Sequence, residues 1–301
     1  MAREGLLDSA SMKNKQSASG ASKGWKTLFL LLPMLGTALC AQALDTRSLD
    51  PYYSAVVINA NTGEILWEDH AAAEAYPASM IKMMNLFVVL DELAEGKLQL
   101  DQPVEVTREI EKVGGRQVWL QVGEVFPLEE LIYAVAIHSA NDAATALALT
   151  SSGTREAHAE KMNAKARELG LTRTFFHNVH GLPPGPGQLP DVSCALDMAR
   201  LASALMQAHP HVHQYTSLAF RPFRPNKPLT LESSNKLLRS FEGCDGMKTG
   251  YFRAGGFSIT ATARRGDQRI IAVLMGCRSK DVRNQWAARL LERGFILASD
   301  R

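Results

Sequence analysis

Apolar positions follow three successive patterns along the chain. Between residues 54 and 67 they come in short bursts: Val56-Val57-Ile58, a turn signal at Asn61-Thr62-Gly63, then Ile65-Leu66-Trp67. Two such bursts around a glycine-containing turn predict a pair of strands. From residue 80 to about residue 208 the spacing becomes helical, over residues 80–93, 128–149, 154–169 and 195–207. Strands return after Gly246. Residues 256–264 and 269–276 flank a Gly-Asp-Gln turn and predict a second hairpin, and residues 281–291 predict a closing helix. Residues 180–190, rich in glycine and proline, read as a surface loop. Strands at both ends with helices between them predict a mixed α/β domain. Its antiparallel sheet is built from N- and C-terminal strands, with a helical lobe inserted between them.

The first 43 residues fit none of these patterns. Lys13, Lys15, Lys23 and Lys26 precede an apolar run over residues 28–39, which Ala41-Gln42-Ala43 follows. A basic region, a short apolar core and small residues before a cut after Ala43 make up a secretory signal. The run is about a dozen residues, whereas a membrane span takes about 20. An uncleaved anchor is the alternative. A lipoprotein at Cys40 is disfavoured by the bulky Leu39 before it. Met12 opens Met-Lys-Asn-Lys, a more ordinary signal start than Met1. The expectation is therefore a signal peptide over 1–43 and a single catalytic domain over 44–301. Neither a C-terminal β-domain nor a membrane anchor is expected, and the destination is the periplasm or the envelope exterior.

Composition narrows the function classes. With 301 residues, 46% hydrophobic, 21% charged and a net charge of +2, the chain is globular in balance. No basic run interleaved with aromatics follows the leader, which argues against nucleic acid as the main partner. Beyond the leader, Cys194, Cys244 and Cys277 allow at most one disulfide and fit no metal spacing, so they read as buried small side chains. His209, His211 and His213 alternate, but with Pro210 among them they read as a polar helix end and loop. Trp119 and Phe126 read as core, and Arg264-Arg265 as a solvated hairpin turn. Neither a metal nor an organic cofactor is expected, and the oligomeric state is left open.

The chemistry concentrates in three places. In Pro77-Ala78-Ser79-Met80-Ile81-Lys82, a spacing of three puts Ser79 and Lys82 on one face at the start of an apolar helix. A serine hydroxyl needs an adjacent base, and a lysine serves when burial lowers its pKa. Ser139-Ala140-Asn141 follows an apolar stretch and can point a hydroxyl and an amide into a cleft from a short turn between helices. Lys248-Thr249-Gly250 precedes the second hairpin. There a cation can hold a carboxylate, and glycine lets a peptide backbone lie close. Another Ser-x-x-Lys, Ser233 to Lys236, lacks the apolar helix that would bury its lysine.

Ser-x-x-Lys, Ser-x-Asn and Lys-Thr-Gly in this order are a signature of penicillin-binding proteins and class A β-lactamases. The sequence resembles the low-molecular-mass penicillin-binding proteins, the D-alanyl-D-alanine carboxypeptidase family, over nearly the whole chain after the leader. Leu169-Gly170-Leu171, Phe176-His177-Asn178 and Ser193 to Ala199 add to the likeness. The resemblance implies a β-lactamase/DD-peptidase-like fold and an acyl-enzyme on Ser79 with Lys82 as base. It further implies that Ser139 moves a proton, Asn141 holds the acyl-side peptide, and Lys248, Thr249 and Gly250 bind substrate. The implied ligands are peptidoglycan stem peptides and β-lactams.

No glutamate-led loop of the β-lactamase type stands between Gly153 and Ser240, so inhibition by penicillin is expected rather than its destruction. Phe252 replaces a common threonine and Asp191 a common histidine or glutamine, and both bear on substrate preference. An endopeptidase or transpeptidase of the same family, and a non-hydrolytic peptidoglycan-binding scaffold, remain as other readings.

Overall fold

The computed structural model describes residues 50–224 and 227–299. The signal reading of residues 1–43, with Met12 and Cys40, lies outside the described residues. The strands are β1 (Ser54–Asn59), β2 (Ile65–Asp69), β3 (Pro103–Glu105), β4 (Val125–Pro127), β5 (Phe220–Phe223), β6 (Leu229–Glu232), β7 (Cys244–Phe252), β8 (Gly256–Arg265) and β9 (Gln268–Cys277). The longer helices, numbered with the short ones in chain order, begin with α1 (Lys82–Ala94). After the single turn α2 (Arg108–Glu111) come α3 (Leu128–Tyr133), α4 (Asn141–Ser152), α5 (Arg155–Glu168) and α6 (Ala195–Ala208). The turns α7 (His213–Thr216) and α8 (Leu237–Ser240) precede the final helix α9 (Lys280–Ser299).

The main sheet has the order β2-β1-β9-β8-β7, antiparallel throughout. This is the mixed α/β arrangement the sequence predicts: β1 pairs along β9, with Ser54 opposite Met275 and Asn59 opposite Ile270. Side chains alternate between the two faces of a strand, and here both faces are covered. Val56, Ile58, Ile271, Val273 and Met275 join the core shared with the helical lobe. Ala55, Val57, Ile270, Ala272 and Leu274 join a second core under α9. That is why these strands read as unbroken apolar runs rather than alternating ones.

Helix α9 extends well past the predicted residues 281–291, and its Gly294 explains how closely it lies on the sheet. A Cβ there would come 2.5 Å from Ile270 Cγ2 and 2.7 Å from Val57 Cγ1. Gly294→Ala is expected to destabilise the fold by about 1–3 kcal/mol through overpacking. Activity per folded molecule should stay unchanged, and thermal unfolding measured beside a turnover assay checks both parts.

The helical lobe departs from the pattern at one functional point. Residues 128–149 do not form a continuous helix. Helix α3 passes into a π-helical turn at Ala134–His138, which ends at Ser139 in the left-handed conformation, φ 62°. Helix α4 then starts afresh at Asn141. The apolar spacing carries through the break because both helices bury their faces in the same core.

Three smaller expectations are corrected. Trp119 is 67% exposed, not core. It occupies a left-handed turn, φ 59°, whose flanking amides at Val118 and Leu120 are held by the Asp142 carboxylate at 3.1–3.2 Å. Phe126 does pack on the core, stacked on Phe223 with ring centroids 5.4 Å apart. His209 stands at the end of α6, as expected, but it is buried with its Nε2 2.6 Å from Asp91 Oδ1, so it joins the packing of α6 against α1. Arg264 and Arg265 end strand β8, and Arg265 pairs with Glu292 on α9 at 2.8 Å. The three cysteines are unpaired thiols, Cys194 and Cys277 buried and Cys244 partly so.

Candidate active site

Residues far apart in sequence meet where the sheet edge faces the start of α1. Ala78, with φ 47°, opens a short 3-10 turn over Ala78–Ile81, and this turn leads into α1. Non-glycine residues in left-handed conformations cost about 1–3 kcal/mol each and persist where the surroundings enforce them. Here Ala78 and Ser139 flank the same cleft. Strand β7 packs directly on the turn, since a Cβ at Gly250 would lie 3.2 Å from Ala78 Cβ and 3.3 Å from Met80 Cγ.

Lys82 is fully buried at the centre of this junction. Its Nζ lies 3.0 Å from Ser79 Oγ and 2.7 Å from Asn141 Oδ1, and it also donates to the His180 carbonyl. Burial is the main cause of a pKa lowered to about 7, with the carboxylates of Asp191 and Asp142 pulling it upward and Arg116 pulling it down. A charged ammonium would donate to all three neighbours. A neutral amine has two N–H groups and one lone pair. His180 O and Asn141 Oδ1 only accept, so they take the two N–H groups and the lone pair faces the Ser79 hydroxyl. The wiring therefore favours a base directed at Ser79.

Asn141 is fixed from both ends. Its Nδ2 donates to Gly114 O at 2.8 Å and its backbone N–H to Arg116 O at 2.8 Å. Lys248 on β7 is also buried. Its Nζ donates to Ser139 Oγ at 2.8 Å and to Thr249 O at 3.1 Å. Burial, then the charges of Lys82, Arg116 and Arg283, hold its pKa well below the usual lysine value. A charge on Lys82 thus adds to burial in favouring the neutral form of Lys248.

The cleft over these groups encloses about 700 Å³. Ser79, Ser139, Asn141, Thr249 and Gly250 line it, whereas Lys82 and Lys248 lie behind its wall. The Lys248 Nζ faces Ser139, and Thr249 and Gly250 beside it present the cleft wall. Phe252 lines the cleft and packs on Tyr76, with ring centroids 5.3 Å apart.

Several cleft residues gave no usable sequence signal. The Ser233 to Lys236 segment, which lacks an apolar helix to bury its lysine, lies in the wall. Ser234 Oγ hydrogen-bonds Thr249 Oγ1, and Asn235 Nδ2 donates to Gly246 O at 2.8 Å, which braces β7. Lys236 instead points outward to Glu232 at 2.7 Å, so it is no buried base. Arg283 on α9 donates to Ser234 O at 3.0 Å. Arg116 donates to Glu232 O at 2.8 Å and lies 3.3 Å from Nδ1 of His138. Burial, with Arg116 next, lowers the pKa of His138 to about 4 and keeps it neutral. Both arginines reach the cleft from distant elements, a relation no local motif carries. No group of metal-ligating side chains occurs among the described residues.

Known proteins share both this sequence and this fold. A family model described as D-alanyl-D-alanine carboxypeptidase matches residues 49–279. The D-alanyl-D-alanine carboxypeptidase DacF of Bacillus subtilis is 34% identical over 244 residues, covering 80% of this chain and 61% of that protein. DacC of Escherichia coli is 34% identical over 287 residues, covering 92% of this chain and 68% of that protein. The chain thus spans about two thirds of the length of these relatives. Penicillin-binding protein D2 of Listeria monocytogenes, solved with cefotaxime bound, superimposes with a TM-score of 0.74 at 30% identity, covering 81% of this chain and 97% of that one. Matched across its described fold and most of its sequence, the chain belongs to the D-alanyl-D-alanine carboxypeptidase family.

Proposed function

We propose that the chain is a serine-type D-alanyl-D-alanine carboxypeptidase acting on peptidoglycan stem peptides outside the cytoplasm, and that penicillins acylate it at Ser79. The observation that carries this reading is the buried Lys82 amine, whose two fixed acceptors leave its lone pair for the Ser79 hydroxyl 3.0 Å away. The family relationship and the cefotaxime-bound relative support it. The secretory pattern of residues 1–43 supports the location, and no described helix is long and apolar enough to cross a membrane.

Neutral Lys82 takes the Ser79 proton as Oγ attacks the carbonyl between the two D-alanines. Backbone N–H groups near Ser79 and on β7 hold the oxyanion; one such donor is typically worth about 2.7–4 kcal/mol. Ser139, hydrogen-bonded to Lys248, gives its proton to the departing amine and regains one from Lys82, which returns the base to its neutral form. Asn141 orients Lys82 from one oxygen and offers its edge to the acyl-side peptide. The carboxylate of the leaving D-alanine lies toward Thr249, which Ser234 and Arg283 back. Water then releases the acyl group, with no step that calls for a metal or organic cofactor.

Ser139→Ala removes the proton carrier and leaves Lys248 with the Thr249 carbonyl alone. Release of D-alanine from a linear pentapeptide is expected to fall by about 10²-fold or more, which a D-alanine assay reads directly. The reading as a whole is tested by intact mass of the protein after exposure to penicillin, then by digestion of linear and cross-linked muropeptides. A single adduct on Ser79 with release of terminal D-alanine is expected. Cleavage confined to cross-links would make the chain an endopeptidase, and a wild type that takes up no penicillin would leave only a scaffold.

A further inference from the structure

Asp191 is buried at the back of the site, 5% exposed, and the acylation machinery described above gives it no role. It stands on firm backbone. Val192 and Phe175 exchange hydrogen bonds at 3.0 Å, and Ser193 pairs with Ala75, four residues before Ser79. Its Oδ1 accepts from the backbone N–H groups of His177 at 2.7 Å and Asn178 at 3.1 Å, and its Oδ2 accepts from Asn178 Nδ2 at 2.7 Å. A carboxylate only accepts, so Asn178 must turn its NH2 toward Asp191 and its oxygen the other way. That oxygen receives the N–H groups of His180 at 3.0 Å and Gly181 at 2.6 Å.

The last of these bonds reaches the site. The Gly181 N–H and the His180 C=O belong to one planar trans peptide unit and point in opposite directions. Gripping the N–H therefore aims the carbonyl, which is the acceptor for Lys82 Nζ and lies 3.4 Å from Ser79 Oγ. We propose that Asp191 is a positioning residue for acylation: by fixing the sense of the Asn178 amide, it aims the His180 carbonyl that orients Lys82 and Ser79. Asp191 thereby acts on the base rather than on substrate preference, where its unusual identity first pointed.

The proposal rests on the acylation reading and deepens it. Its test exchanges the two side chains. In D191N, an amide NH2 faces the NH2 of Asn178; in N178D, two carboxylates face each other. In the N178D/D191N exchange the bond between the two side chains re-forms with donor and acceptor reversed, the backbone bonds to each are kept, and only the 3.4 Å bond to the Leu182 carbonyl is lost. The amide introduced by D191N gives its oxygen to the backbone and its NH2 to the carboxylate introduced by N178D, whose other oxygen takes the two turn amides.

The probe is benzylpenicillin, and the readouts are the acylation rate constant from intact mass, its pH profile, and the unfolding temperature. Each single variant is expected to acylate about a hundredfold more slowly, as misplacement of a reacting group by an ångström does, and the exchange to recover to within a few fold. The pH profile adds a readout that a purely structural role leaves still. Removing the Asp191 charge in D191N takes away an anion that favours protonated Lys82, so the rise of the rate with pH moves to lower pH. In the exchange it returns to or above its wild-type position, with Asp142 and Arg116, the other charges bearing on Lys82, untouched.

A D191N chain with wild-type rate and profile overturns the proposal. So does an exchange variant that folds like wild type yet acylates as slowly as the single variants. Should a single variant fail to fold, the exchange alone decides: folded and fast supports the proposal, folded and slow refutes it. A wild type that forms no Ser79 adduct overturns the acylation reading and this proposal with it, whereas the other failures touch this proposal alone.

Discussion

Lys82→Ala should acylate with penicillin about 10²–10⁴-fold more slowly than wild type, the range typical for a positioned general base, while keeping its fold. The substitution removes the amine that contacts Ser79 Oγ, Asn141 Oδ1 and His180 O together. Ser79 stays in place, because its position is set by the 3-10 turn and by β7 packed upon it. The wild-type protein supplies the companion measurement. Only neutral Lys82 can accept the proton, and burial has lowered its pKa to about 7. The acylation rate should therefore climb with pH through that value and level off above it, where the lysine is neutral. Lys82→Arg should lose the rate without gaining that limb at any accessible pH, since a guanidinium stays charged. Rapid quenching with intact-mass detection gives the rates, and thermal unfolding shows that the comparison is between folded proteins.

Gly181→Ala should be almost as damaging, although residue 181 carries no chemistry. Gly181 has φ 80°, and a Cβ on it would fall 2.7 Å from the Ser79 backbone nitrogen and inside the van der Waals surface of the Ala78 carbonyl. The neighbour is backbone, which cannot rotate away, so the turn that presents Ser79 must shift. Displacing one oxyanion donor costs about 2.7–4 kcal/mol, or 10²–10³-fold in rate, and acylation should fall by that order. Gly187→Ala isolates the cause. Gly187 has nearly the same φ, 77°, but nothing lies within 4 Å of where its Cβ would be. It should show the backbone penalty of about 1–2 kcal/mol in thermal unfolding and acylate at the wild-type rate. Equal loss of acylation in both variants would mean that the close approach of Gly181 to the Ser79 turn has no catalytic consequence.

The parts of the fold legible in the sequence are those whose signal is local. Val56-Val57-Ile58 and residues 269–276 are apolar on both faces because the sheet is covered on both sides. Thr154 caps α5 by accepting from Ala157 N at 3.0 Å. Serine-x-x-lysine reads as a candidate because three residues make less than one helical turn. What resisted reading depends on contacts between distant elements. A short turn between helices at Ser139 is legible, but its left-handed backbone and the bond it receives from Lys248 on β7 are not. Trp119 has the composition of core but is turned outward because Asp142, a residue of α4, holds the amides on either side of it. Ser234 resembled a decoy motif, and only the folded chain brings its hydroxyl to Thr249. Asp191 could be seen as unusual, but its reach to Lys82 passes through Asn178 and one peptide plane, which no spacing encodes.

The pairing of β1 with β9 also governs when this molecule can come into being. Ser54 finds its neighbour Met275 only after every residue between them has emerged, and closing so large a loop is slow compared with forming local helices. A ribosome-bound chain can assemble helices of the lobe, but its central sheet lacks a middle strand until the β8–β9 hairpin arrives. The nascent protein therefore stays threadable until that hairpin arrives, and the buried lysine base cannot form before β7 has emerged to pack against its turn.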